Sequence, residues 1–171
     1  MVDELGLAGG EIIAALKRGR IEYVVALPDI TTSAGVLWPI SRDQDFKLVR
    51  LCKEDEGVAI CAGLAITQHR AALLIQYTGF LDSLNAIRAI ACDYALPICM
   101  VIGLLEKEPH VKPRESKRFG VRIMEPILET MGIDHFCIDG SQDIAALPPA
   151  IERAYENSRP LAALVGQRVR P

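Results

Sequence analysis

Glu54 stands nine positions before Gly63, where an apolar, strand-like run (46–51) gives way to very small residues, Gly57-Val58-Ala59-Ile60-Cys61-Ala62-Gly63-Leu64-Ala65. A carboxyl group at such a junction can exchange a proton with a bound base, the work of a general acid or base. A second reading is open at this point. Glu54, Asp55 and Glu56 together also suit a helix N-terminus, where the dipole favours negative charge. Other polar residues break the apolar pattern at Pro28-Asp29, at Lys53-Glu54 and at Gln76-Tyr77-Thr78-Gly79, with Asn85 six positions after that glycine. The segment 106–119 sets Lys107, His110, Lys112, Arg114, Lys117 and Arg118 against Glu106, Glu108 and Glu115. This net positive loop suits either an anionic ligand or plain solvation.

The elements that must position these residues alternate along the chain. Apolar periodicity predicts helices over 7–18, from 55 onward, and over 81–91, 121–131 and 143–157. It predicts strands over 23–27, 46–52, 71–77, 98–102, 135–138 and 161–165. Several of these strands are apolar throughout, which marks a parallel sheet covered on both faces. The expected fold is α/β: a doubly wound, mostly parallel sheet of about six strands with helices on both faces, residues 1–171 forming a single domain. Ligands in such sheets sit beyond the carboxyl ends of the strands, where the polar interruptions gather. The helix from 55 carries Val58, Cys61, Ala62 and Ala65 on one side and Ala59, Ile60, Gly63, Leu64 and Ile66 on the other. With no polar face, it is expected to lie between its own sheet and a second subunit, making the chain a homodimer or higher oligomer.

Composition excludes several classes of function. A net charge of −3 with dispersed basic residues lacks the concentrated basic face of a nucleic-acid binder. The longest uncharged apolar stretch, 94–105, is too short for a membrane span and contains Pro97, and the opening Met-Val-Asp-Glu has no basic region before an apolar one. A soluble cytoplasmic protein is expected. Cys52, Cys61, Cys92, Cys99 and Cys137 are odd in number, lack a Cys-x-x-Cys pair and lie in apolar runs, so they read as core residues in a reducing compartment. Gly6, Gly9 and Gly10 follow no strand, so the dinucleotide fingerprint is absent, as are the phosphate-loop and nucleophile-elbow motifs. His69, His110 and His135 lack metal-ligand spacing, and no metal is expected on this chain. Trp38 reads as a core or interface anchor.

Glu54 followed by Ala62-Gly63-Leu64-Ala65, then Gln76-Tyr77-Thr78-Gly79 and Asn85, resembles the pyrimidine-binding domain of thiamine-diphosphate enzymes. Among these the likeness is greatest to the sulfopyruvate decarboxylase α-subunit and phosphonopyruvate decarboxylase family. It extends over almost the whole chain, with Val24-Val25-Ala26-Leu27-Pro28-Asp29 matching a strand that ends in Val-Pro, and Phe119-Gly120-Val121 with Pro126-Ile127-Leu128 matching the helix after the active-site loop. The resemblance implies that Glu54 hydrogen-bonds N1′ of the cofactor's aminopyrimidine, while the thiazolium serves as the electron sink when carbon dioxide leaves. It also implies that Pro28, Gln76, Thr78, Gly79 and Asn85 bind cofactor, and that Asp29, His110, Lys112, Arg114 and Arg118 are candidates for the substrate. The family's Gly-Asp-Gly motif, which with a later Asn holds Mg²⁺ and the diphosphate, does not occur here. A diphosphate-binding β subunit is therefore expected to hold Mg²⁺ and complete the site. Gln-Tyr-Thr-Gly replaces the related Gln-Asn-Ser-Gly, which leaves substrate choice open.

The resemblance thus implies half of a thiamine-diphosphate-dependent decarboxylase for an anionic 2-oxo acid such as sulfopyruvate or phosphonopyruvate. The pyrimidine half does not fix the fate of the carbanion, so a carboligase or another 2-oxo acid lyase uses the same half-site equally well. A non-catalytic binding or assembly module of the same fold is the remaining alternative.

Overall fold

The computed structural model describes residues 6–171, and the opening Met-Val-Asp-Glu lies outside them. The elements run β1 (Leu7–Ala8), α1 (Gly9–Arg18), β2 (Tyr23–Ala26), a π-helical turn Ser33–Leu37 continued by α2 (Trp38–Ile40), β3 (Lys47–Arg50), α3 (Glu54–Ile66) and β4 (Ala71–Gln76). There follow α4 (Tyr77–Asp82), α5 (Leu84–Ala86) with a π-helical turn Ile87–Cys92, β5 (Cys99–Gly103), a 3₁₀ turn Pro113–Glu115, α6 (Phe119–Arg122) and α7 (Met124–Thr130). The chain ends through β6 (Asp134–Ile138), α8 (Ser141–Ile144), α9 (Leu147–Asn157), β7 (Leu161–Val165) and β8 (Val169–Arg170).

Six strands form one sheet in the order β3-β2-β4-β5-β7-β6, every neighbouring pair parallel. This is the doubly wound α/β architecture that the unbroken apolar strands predict. Successive residues of a strand point to opposite faces, so each strand feeds two cores. Val24, Ala72, Leu74, Val101 and Ala163 join α1 and α9 on one side, while Val25, Leu73, Ile75, Met100 and Leu164 join α3, α7 and the Ile87–Cys92 turn on the other. Gly57 lets α3 lie close to the sheet, because a Cβ there would stand 2.5 Å from Leu73 Cδ1 and 2.7 Å from Leu51 Cδ1. From β2 the chain goes outward to β3 and then crosses to β4 on the other side of β2. This reversal opens a crevice at the strands' carboxyl ends, the usual place for a ligand in such sheets.

Several boundaries differ from the sequence reading. The helix expected over 7–18 begins at Gly9, because Leu7 and Ala8 pair in parallel with Val169 and Arg170. The helix expected over 143–157 is two helices, since Pro148 and Pro149 occupy the first turn of α9, where a missing N–H costs nothing, and cannot continue α8. The helix expected over 81–91 starts earlier, at Tyr77, directly on the end of β4. Of the five cysteines, all free, Cys61 and Cys99 are buried, Cys92 and Cys137 are half-buried, and Cys52 is exposed rather than in the core. Among the described residues no helix is long and apolar enough to cross a membrane.

Candidate active site

Glu54 opens α3 one residue after the extended Lys53. The three acids at this helix start divide their work. The Glu56 carboxylate accepts the Cys52 N–H at 3.1 Å and the Lys53 N–H at 3.3 Å, closing the helix terminus in the manner of a capping box. Asp55 accepts the Glu56 N–H at 3.0 Å and pairs with Lys53 at 3.3 Å. Glu54 accepts no hydrogen bond and makes no ion pair among the described residues; its carboxylate turns toward Gly79. The helix N-terminus is served by its neighbours, so capping does not account for Glu54.

Gly79 makes room for this acid. A Cβ at position 79 would lie under 3.0 Å from Cγ, Cδ and Oε1 of Glu54, so the absence of a side chain there lets the carboxylate pass over the first turn of α4. Glu54 thereby enters a cleft of about 580 Å³ at the switch point, lined from the ends of β2, β3, β4 and β7 by Leu27, Pro28, Asp29, Ile30, Ser33, Ala34, Trp38, Gln76, Thr78 and Arg168. Thr78 Oγ1 donates to Gln76 Oε1 at 2.9 Å, which fixes the amide plane and leaves its N–H groups without an acceptor among the described residues. Asp29 also lines the cleft, but its carboxylate is engaged in building the loop. Oδ1 accepts the Thr31 N–H at 2.6 Å and the Thr32 N–H at 2.8 Å, Oδ2 accepts the Thr32 hydroxyl, and the Asp29 N–H donates to Ser33 Oγ at 2.8 Å. Gly103 allows this loop to rest on the end of β5, since a Cβ there would be 2.9 Å from Thr31.

The structure therefore brings together Pro28, Asp29, Glu54, Gln76, Thr78 and Gly79. It leaves others elsewhere. Asn85 lines a separate hollow of about 380 Å³ between α5 and α7 and accepts a hydrogen bond from Arg88 at 3.1 Å. Among the cations of the loop 106–119, Arg114 pairs with Glu125 at 3.2 Å and with Glu129, and Arg118 pairs with Glu106. His110 and Lys112 are exposed, and none of these four lines the cleft. The loop is tied down internally: Glu108 accepts the Ser116 hydroxyl at 2.7 Å and the Lys117 N–H at 3.0 Å, and the Ser116 bond holds its carboxyl below the usual glutamate range.

Sequence reasoning missed Arg168, and of the two places it left open for Trp38, core or interface, the structure excludes the core. Arg168 follows Gly166 and Gln167 at the end of β7, so the strand-end rule that marked Pro28, Glu54 and Gln76 would have marked it too. Trp38 is not a core residue: it lies in the cleft wall, 47 % exposed, with Ile30 at 64 % beside the same opening.

The chain is 29% identical, over 168 aligned residues, to a sulfopyruvate decarboxylase of Methanosarcina acetivorans, a match that takes in 93% of this chain and 40% of that protein. The likeness is to sulfopyruvate decarboxylase. The sulfopyruvate decarboxylase subunit alpha of Methanococcus maripaludis is 27% identical over 130 residues, 75% of each chain. That of Methanocaldococcus jannaschii is 28% identical over 92 residues, 54% of each. The chain thus spans well under half the length of its Methanosarcina relative and a larger share of the separate alpha subunits. No family model matches the chain.

Proposed function

We propose that the chain is the α subunit of a thiamine-diphosphate-dependent decarboxylase acting on an anionic 2-oxo acid such as sulfopyruvate or phosphonopyruvate, with a β subunit supplying the diphosphate and Mg²⁺ half of the site. The observation that carries this reading is Glu54: a carboxylate with no hydrogen-bond or ion-pair partner among the described residues, held over Gly79 inside the switch-point cleft, while Glu56 caps its helix. The names of the relatives, three of them alpha subunits, support it.

The residues present fit the pyrimidine end of the cofactor. Glu54 offers a carboxyl oxygen able to hold or share a proton with a ring nitrogen, and an acid placed within hydrogen-bond reach contributes about 10²- to 10⁴-fold in such steps. Gln76 offers amide N–H groups fixed by Thr78, while Leu27, Pro28 and Ile30 give the cleft apolar walls. When bound, thiamine diphosphate supplies the electron sink that accepts the bonding pair as carbon dioxide departs. Within this sequence there is no Gly-Asp-Gly for the diphosphate end, and in this proposal a partner subunit supplies that half. The exposed Ile30 and Trp38 at the cleft offer apolar surface for the partner to cover.

The test is carbon dioxide release from sulfopyruvate and phosphonopyruvate by this chain mixed with a diphosphate-binding subunit. Turnover is expected only when both chains, thiamine diphosphate and Mg²⁺ are present. Release that persists without the cofactor, or none from any 2-oxo acid by the full mixture, rejects the proposal.

A further inference from the structure

We propose that Arg168 is the specificity residue of this site, receiving the strongly acidic tail, a sulfonate or phosphonate, of a dianionic 2-oxo acid; this rests on the decarboxylase reading above. Arg168 stands where two cavities meet. It lines the cleft that holds Glu54, and it also lines a second hollow of about 280 Å³ formed with Thr31, Leu104, Lys107 and Gly166.

The charges around this junction are not equivalent. Lys107 has a fully buried side chain that is neutralised in place, its Nζ donating to Asp139 at 2.9 Å and to the Glu108 carbonyl at 3.0 Å. The same Asp139 oxygen accepts Gln167 Nε2 at 2.9 Å. Asp29 is saturated by Thr31 and Thr32. Arg168 has no carboxylate partner among the described residues, and no other cation lines the Glu54 cleft. An uncompensated guanidinium in a concave wall focuses its field on the space in front of it, and its planar fork of donors matches an acid with several equivalent oxygens. The cations of the loop 106–119 offer less: Arg114 and Arg118 already pair with Glu125, Glu129 and Glu106.

The backbone that carries Arg168 is fixed on both sides. Its carbonyl accepts the Leu7 N–H at 3.1 Å, and the Val169 N–H donates to the Thr31 carbonyl at 2.8 Å, so the edge pair β1–β8 and the Asp29 loop clamp this point. Gln167 is anchored through its side chain, and Gly166 permits that anchor because a Cβ there would stand 2.5 Å from Asp139 Oδ1. A donor projecting from a fixed point loses less freedom on binding than one on a mobile loop.

Two measurements test the assignment. In the reconstituted complex, Arg168→Gln is expected to lower kcat/KM for sulfopyruvate or phosphonopyruvate, relative to 2-oxobutanoate with its uncharged tail, by at least about tenfold, the range for a hydrogen bond to a charged group. Arg168→Lys should recover part of that ratio. Separately, in the chain itself, backbone NMR signals of Thr31, Gln167 and Arg168 should shift on titration with the unreactive dianions 3-sulfolactate or 3-phosphonolactate, but not with 2-hydroxybutanoate, and the shifts should vanish in Arg168→Gln. The dianion that binds more tightly identifies the tail. Equal loss of kcat/KM on charged and uncharged substrates, or dianion shifts that survive Arg168→Gln, would overturn the assignment. Wild-type chain that shows the Arg168-dependent shifts but no turnover would reject the decarboxylase reading and leave the anion site standing.

Discussion

Replacing Gly79 by alanine tests how the fold presents its acid. The added Cβ would fall under 3.0 Å from three atoms of the Glu54 side chain, a separation that real Cβ atoms do not show, so the carboxylate must swing away. Glu54 is half-buried and flexible, and forcing it off its rotamer costs about 0.5–1.5 kcal/mol. Gly79 lies within helix α4, where alanine is favoured over glycine by roughly 0.5–1 kcal/mol. The two effects oppose, leaving a net change within about 1 kcal/mol, or roughly 2–4 °C in melting temperature for a chain of this size. Turnover is expected to respond quite differently: a catalytic group displaced by about 1 Å costs on the order of 10²-fold. The assay pairs thermal unfolding with decarboxylation by the reconstituted complex, and Gly10→Ala, with open space at that Cβ, serves as the control. Activity within about threefold of wild type, under 1 kcal/mol of barrier, would refute the reasoning. So would a melting temperature lowered by more than about 10 °C, since the loss would then belong to the fold.

Three further outcomes are expected. Arg70 and then Arg20 hold Glu152 down to about 2 from its ordinary 4.5, so the network favours the folded chain above the ordinary value and its contribution is lost as pH falls from about 4.5 toward 2. Glu152→Gln should remove that part of the acid limb, and unfolding curves that keep the full acid loss in the variant would contradict this. Ala59, Gly63 and Ile66 form an exposed apolar strip on α3, and a Cβ at Gly63 meets open space, so a second subunit seated there predicts self-association that Gly63→Glu abolishes; a wild-type chain monomeric at high concentration in sedimentation would count against it. Calorimetry on this chain alone should find thiamine diphosphate bound weakly and without help from Mg²⁺, and tight Mg²⁺-dependent binding would contradict the two-subunit account.

The parallel sheet was legible because its strands, such as 71–76 and 161–165, are apolar on both faces, a pattern that only double coverage explains. The positions of Glu54, between strand and small-residue helix, and of Gly79, just after a strand end, were legible in the sequence. Other features depend on distant partners. Leu7 and Ala8 read as helix because their partners Val169 and Arg170 are remote in sequence, and local periodicity carries no trace of that pairing. The loop cations looked available because the carboxylates that neutralise Arg114, Glu125 and Glu129, belong to a helix whose docking the local pattern does not specify. Arg168 was missed for the opposite reason: a single cation after the last long strand makes no charge run, although its strand-end position was readable.

The central claim is that Glu54 is the proton-sharing acid of a cofactor-dependent decarboxylase, and the substitution Glu54→Gln addresses it most directly. Glutamine keeps the volume and the space over Gly79 but has no acidic proton to share, and among the described residues the wild-type carboxylate has no partner whose loss would disturb the fold. The measurement is kcat of the complete complex at saturating thiamine diphosphate and Mg²⁺. The account predicts a fall of roughly 10²-fold or more with an unchanged melting temperature; turnover within about threefold of wild type would contradict it.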